Sequence, residues 1–234
     1  MKNATSYIKP LAALLRKLKQ RYKAADPTPH QNPVTELVLS FLQWNATRKT
    51  AEAAFDRLME GVVDTNDLRV SDPDEITELL GQDYPRLQER TARLQDALQE
   101  IYIREHAVTL DPLATMPKKD ARAYLASLPG MPVYVTARVM LLGLDAHAVP
   151  VDDHLADLLK QDGIVDPDAT VEQIEAFLER HVKASDAPHV QRALQAWADS
   201  RQKRSPPAGG SRSDTRKKSA GRTRSLKKRV KKKK

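Results

Sequence analysis

The sequence predicts an all-α protein, and three observations carry that expectation. Apolar residues recur at three- and four-residue intervals, strand-like alternation is weak throughout, and turn signals fall at helix-sized distances. No internal repeat is evident. The first segment, residues 7–24, is amphipathic: Ile8, Leu11, Leu14, Leu15 and Leu18 line one face, and Lys9, Arg16, Lys17, Lys19, Arg21 and Lys23 lie on or beside the other. Pro27 and Pro29 end it. Pro33 opens a strongly apolar helix through Leu37, Val38, Phe41 and Leu42, which ends near Trp44. A helix from about Thr47 to Met59 stops at Gly61. Asp72-Pro73 reads as an N-cap with proline at the first helical position, opening a short helix over 73–80 that Gly81 closes.

The longest helix is expected over 86–104, where Leu87, Ala92, Leu94, Leu98 and Ile101 give a rough stripe. Helices follow over 118–127 and 133–144, separated by Pro129-Gly130. Another begins near Asp152 and stops before Gly163. Thr170 with Gln173 fits a capping box that opens a helix to about Val182. The last runs from about Ala187 to Arg201. Residues 1–200 are therefore expected to form one helical domain, with the N-terminal helix packing on the C-terminal ones. Residues 201–234 hold almost no apolar side chain and are expected to be a disordered tail.

Charge divides the same way. The net charge of +8 conceals 16 Lys/Arg against the single acid Asp214 in residues 201–234, leaving 23 basic and 30 acidic residues, a net −7, in the rest. An acidic body with a basic arm suggests tethering to a polyanion. No apolar run approaches the ~20 residues a bilayer span requires, so no membrane partner is expected. The stretch Leu11–Leu15 is too short for a signal-peptide core. The chain has no cysteine, which excludes disulfides, thiolate metal sites, iron–sulfur clusters and a cysteine nucleophile. These features point to a soluble intracellular monomer.

Two motifs carry chemistry. Leu128-Pro129-Gly130-Met131-Pro132-Val133-Tyr134 reads as a tight turn between helices, and the N–H groups opening the second helix can face a phosphate. The same residues serve equally as a plain interhelical turn. Ala148-Val149-Pro150-Val151-Asp152-Asp153-His154 places a carboxylate at the start of the next helix. Asp152 there is either a simple N-cap or a group that stabilises developing positive charge and activates water. Asp152, Asp153, His154 and Asp157 form no second ligand set with residues elsewhere, so no metal and no cofactor are implied.

Taken in order, these pieces resemble the helix-hairpin-helix (HhH-GPD) DNA glycosylase superfamily of endonuclease III over about residues 8–200. Asn32-Pro33 through Asn45-Ala46-Thr47 is similar to the helix ending in S-A-Q-A-T. Leu128-Pro129-Gly130 matches the hairpin L-P-G. Residues 134–145 and the A-V-P-V-D at 148–152, with His154 two positions on, are similar to the 8-oxoguanine glycosylases. The resemblance implies a two-lobed helical fold and excision of a flipped, damaged or mispaired base from double-stranded DNA. It implies Asp152 as the activating carboxylate. The phosphate grip would be Leu128, Pro129, Gly130, Met131, Pro132 and Val133, and Asn45 would fill the gap left by the flipped base. Tyr134 and Trp44 would line the base pocket, with Tyr84 a further aromatic candidate. The setting would be the cytoplasm and nucleoid, or the nucleus in a eukaryote.

The chain departs from the family in three respects. Pro132 replaces the second hairpin glycine and removes a backbone donor. Tyr134 stands where members with lyase activity carry the Schiff-base lysine, and a phenol cannot form an imine. The cluster cysteines that follow the last helix are missing. A monofunctional glycosylase is thus expected, without a Schiff-base step and without an iron–sulfur cluster. Lys118 and Lys119 precede the hairpin and are not expected to replace the missing lysine. In the tail, Lys227, Lys228, Arg229, Lys231 and Lys232 belong to the densest basic patch, suited to phosphates and lacking aromatic residues for stacking. The alternatives are a non-catalytic DNA-binding protein that keeps the fold, and an RNA- or ribosome-associated protein.

Overall fold

The computed structural model describes residues 1–22 and 32–201, and every regular element among them is helical. The chain divides into units at Lys203/Arg204, and the described residues belong to the first. After a 3₁₀ turn at Ala4–Tyr7 come α1 (Ile8–Arg21), α2 (Pro33–Gln43), α3 (Arg48–Gly61), α4 (Thr65–Val70), α5 (Pro73–Leu80) and α6 (Leu87–Glu105). Then follow α7 (Pro112–Thr115), α8 (Lys118–Ala126), α9 (Val133–Arg138), a π-helical turn (Val139–Gly143), α10 (Asp153–Gln161), α11 (Val171–His181) and α12 (Ala187–Arg201).

Side chains start six of these helices. Asn32, Asp72 and Asp152 each accept a backbone N–H of the first turn at 2.8–2.9 Å. Thr170 and Gln173 form the expected reciprocal capping box. The helix expected over 118–127 ends at Ala126, and the one over 7–24 is described as Ile8–Arg21. The segment 133–144 departs more: α9 gives way at Val139 to π geometry, with Leu144 N donating to Val139 O at 3.0 Å. Gly143 lies so close to α2 that a Cβ there would stand 3.2 Å from Pro33 Cα, which accounts for the glycine.

The centre of the protein is α2. Leu37, Val38, Phe41 and Leu42 are fully buried, and the helix packs on α3, α6, α9 and the π turn. Helices α3–α6 build one layer around it. Helix α1 packs on α12, which also contacts α10 and α3. The two assemblies meet around the end of α2.

Helix α6 corrects the rough stripe read from sequence. Ala92 is exposed, and the buried positions are Leu87, Arg90, Thr91, Leu94, Ala97, Leu98 and Ile101. Arg90 is fully buried. Its guanidinium donates to the carbonyls of Phe41, Leu42 (2.6 Å) and Trp44 (2.6 Å), and to Pro85 O at 2.9 and 3.1 Å. Tyr84 Oη adds a 2.8 Å bond to Leu42 O. The carbonyls left open at the C-terminus of α2 are thus satisfied by a cation, which also suits the negative end of the helix dipole. Burial lowers the Arg90 pKa to about 10, and the group stays charged at neutral pH. Burial likewise pushes the Tyr84 phenol up to about 12.

A buried ion pair joins α9 to α2. Arg138 donates to Glu36 at 2.8 and 3.0 Å, to Ser40 Oγ at 3.1 Å and to Gln43 Oε1 at 2.7 Å. Burial opposes its charge, but the Glu36 carboxylate outweighs that and holds the guanidinium above its usual range. On the outer side, Arg122 of α8 reaches Glu175 at 3.2 Å and Glu179 at 2.6 Å on α11. Burial, with the charge of Glu179, pushes the Glu175 carboxyl up to about 8 despite Arg122.

Two outcomes follow. Arg90→Met leaves several buried carbonyls without donors and should cost roughly 3 kcal/mol or more in denaturant unfolding, far more than a surface Arg→Met change. For Glu175, the folded state holds a proton more tightly than the unfolded chain, whose ordinary value is 4.5. Its contribution therefore falls as pH rises from about 4.5 through about 8. Thermal melts across that window should decline less steeply for Glu175→Gln than for the wild type, and equal slopes would contradict the assignment.

Candidate active site

The chain reverses just past α2, and this turn meets the mouth of α10. Asn45 adopts a left-handed backbone with φ 57°. Its N–H donates to Asp152 Oδ2 at 3.1 Å, its Nδ2 to Asp153 Oδ2 at 2.8 Å, and its Oδ1 accepts from His154 N at 3.3 Å. Asp152 is the N-cap of α10, with Oδ1 accepting from Leu155 N at 2.8 Å, and it is 6% exposed. Burial raises its carboxyl above the ordinary range, against the pull of the Leu155 and Asn45 N–H groups. The N-cap reading and a chemical role are therefore compatible in one geometry: one oxygen is fixed by the helix and the other by the α2 turn.

The hairpin behaves as a tight interhelical turn. Gly130 has φ 63°, and Met131 N closes on Leu128 O at 3.3 Å. Leu128 and Pro132 are buried, Met131 is half-buried, and Pro129, Gly130 and Val133 are exposed. Pro132 is the N-cap of α9, without a side-chain cap, and accepts from Thr136 N at 3.1 Å. The N–H groups of Val133, Tyr134 and Val135 begin the helix and have no preceding turn to bond to.

Two arginines that the sequence reading did not single out connect hairpin and aspartate. Arg93 donates to Gly130 O at 3.1 Å and stacks on Trp44 at 5.2 Å from the ring centroid. Arg86 stacks on the same ring at 4.7 Å and pairs with Asp153 at 3.3 Å. Both side chains remain more than a third exposed. Arg86 is the left-handed N-cap of α6 and Arg93 lies within the helix, and no local sequence pattern signalled their meeting at Trp44.

The aromatic candidates separate. Trp44 is buried as the platform for these cations, and Tyr84 is occupied at the end of α2. Tyr134 is 2% exposed, lies near both Arg138 and Asp152, and has its phenol pushed above its usual range by burial. Its Oη is 3.5 Å from Gln195 Oε1, a long contact. Gln195 in turn donates to Asp199 at 2.8 Å, and Asp199 caps the Arg48 N–H at 3.1 Å. A polar layer thus extends from Gln43 and Arg138 to Asp199 around the aspartate. Gln43 Nε2 is buried with no hydrogen-bond partner among the described residues. Lys118 Nζ donates to Leu144 O at 2.6 Å, which ties it to the loop after the π turn. Among the described residues no group of three or more His, Asp or Glu could hold a metal ion, and no helix is long and apolar enough to cross a membrane. Lys227, Lys228, Arg229, Lys231 and Lys232 lie outside the described residues.

Comparison with solved structures gives this arrangement its context. A trapped endonuclease III–DNA covalent intermediate superposes with a TM-score of 0.64 at 17% identity, covering 81% of this chain and 85% of that one. The Clostridium acetobutylicum 8-oxoguanine glycosylase/lyase, in complex with double-stranded DNA containing cytosine opposite 8-oxoG, gives 0.64 at 17% identity over 85% and 71%. The H. pylori 3-methyladenine DNA glycosylase bound to 1,N6-ethenoadenine gives 0.60 at 12% identity over 86% and 99%. The chain has the helix-hairpin-helix DNA glycosylase fold. No family model and no curated protein matches the chain. The all-α, two-lobed architecture expected from the resemblance is therefore present, and within this glycosylase fold Asp152, Asn45 and Tyr134 converge at the end of α2.

Proposed function

We propose that the chain is a monofunctional DNA base-excision glycosylase. The observation that carries this reading is Asp152: a carboxylate nearly excluded from solvent and raised by burial, held by two N–H groups at a helix mouth, in a fold shared with glycosylases captured on DNA. In such a reaction the bond from C1′ to the base nitrogen breaks, the base leaves with the bonding pair, and positive charge develops on the sugar. Asp152 stabilises that charge and takes a proton from the water that attacks C1′. Its raised pKa favours accepting that proton.

Other groups support the reading. Tyr134 is a buried phenol held neutral, so it offers neither an amine nor an ionised nucleophile, and hydrolysis rather than imine formation fits the site. The exposed hairpin and the α9 N–H groups form the phosphate grip, with one donor fewer because of Pro132. Arg86 and Arg93 place positive charge between that grip and Asp152. The tail patch adds affinity that is independent of sequence and sensitive to salt.

The non-catalytic alternative is favoured by one observation: the same Pro132 that shapes the hairpin removes a donor from it. Single-turnover base release from a panel of lesion and mismatch duplexes separates the two. Release confined to particular lesions and slowed roughly 100-fold or more by Asp152→Asn is expected. Binding without release on every duplex would leave the DNA-binding protein.

A further inference from the structure

The resemblance implies that Asn45 fills the gap left by a flipped base, and its contacts in this structure point to a second role. Its backbone N–H, Nδ2 and Oδ1 engage three successive residues, Asp152, Asp153 and His154. We infer that Asn45 is a positioning residue that clamps the first turn of α10 and fixes the plane of the Asp152 carboxylate. The inference rests on the glycosylase reading for its consequence, while the clamp itself stands on geometry.

Three features support the assignment. First, the Asp152 carboxylate is held from opposite sides, Oδ1 by Leu155 N within α10 and Oδ2 by Asn45 N from the α2 turn. Rotation about the carboxylate bond would break one of these bonds or both. Second, Asn45 is in the left-handed region, which costs a non-glycine residue energy and which asparagine tolerates better than most. That conformation turns both its N–H and its amide toward α10. Third, the turn carrying Asn45 is anchored from behind, because Arg90 holds the carbonyls of residues 41, 42 and 44. Arg86 completes the arrangement by drawing Asp153 toward the Trp44 ring. The clamp is therefore braced on both sides, and both polar atoms of the Asn45 amide bond to α10.

Asn45→Gly keeps the backbone N–H and suits the left-handed φ, so it removes only the side-chain half of the clamp. The variant should release base roughly 10- to 100-fold more slowly at saturating enzyme, as a modest misplacement of a reacting group predicts. Its affinity for the same lesion duplex should stay within about twofold of wild type, and the substitution should cost nothing further in an Asp152→Asn background. Weaker duplex binding with an unchanged saturating rate would overturn the inference and make Asn45 a DNA contact. Amide hydrogen exchange at His154 and Leu155 reads the clamp without any substrate. It should quicken in Asn45→Gly, and unchanged exchange at both would overturn the clamp. If wild type releases no base from any duplex while this exchange does quicken, the glycosylase reading has failed and Asn45 remains the residue that orients Asp152.

Discussion

Everything near the site depends on how α2 ends. A helix that is buried on nearly all sides must satisfy its last carbonyls without water, and in this protein one fully buried guanidinium does so. Arg90 is the residue of choice because its planar fork presents several donors at once. The same bonds hold the chain reversal that follows, where Asn45 meets α10. Stability of the core and placement of the carboxylate therefore share one support, and a loss of Arg90 would disturb both.

The surroundings of Asp152 show how a carboxylate is kept in a costly place. Burial alone favours the protonated form, and the two N–H donors partly offset it. The neighbouring charges are paired off: Arg138 with Glu36, Arg86 with Asp153. Tyr134 then lies beside the aspartate as a neutral group. Its phenol, pushed above its usual range by burial, brings no further charge between Arg138 and Asp152.

Much of the fold was legible because helix starts in this chain are written in side chains. Asp72-Pro73 and Thr170 with Gln173 encode caps that the structure reproduces. What escaped has specific causes. Helix α4 spans six residues with Leu68 alone buried, too little for a periodic signal. The π turn brings Gly143 close against Pro33, a tertiary approach that no local pattern reveals. The stripe on α6 seemed irregular because its missing member was an arginine, and a charged residue in a helix is ordinarily assigned to solvent. At the site, the hairpin and Asp152 could be found from their motifs. Arg86, Arg93 and the clamp by Asn45 could not, since each arises from contacts between residues far apart in sequence.

On the proposed glycosylase reading, the turn after α2 presents Asp152 to the sugar of an extruded nucleotide. A crystal structure of Asp152→Asn bound to a duplex carrying its preferred lesion tests this most directly. The expected result is an extruded base with residue 152 within roughly 3.5 Å of C1′ or of the water facing it, and a phosphate at the start of α9. A duplex bound through other surfaces, with every base stacked and residue 152 remote from the sugar, would contradict it.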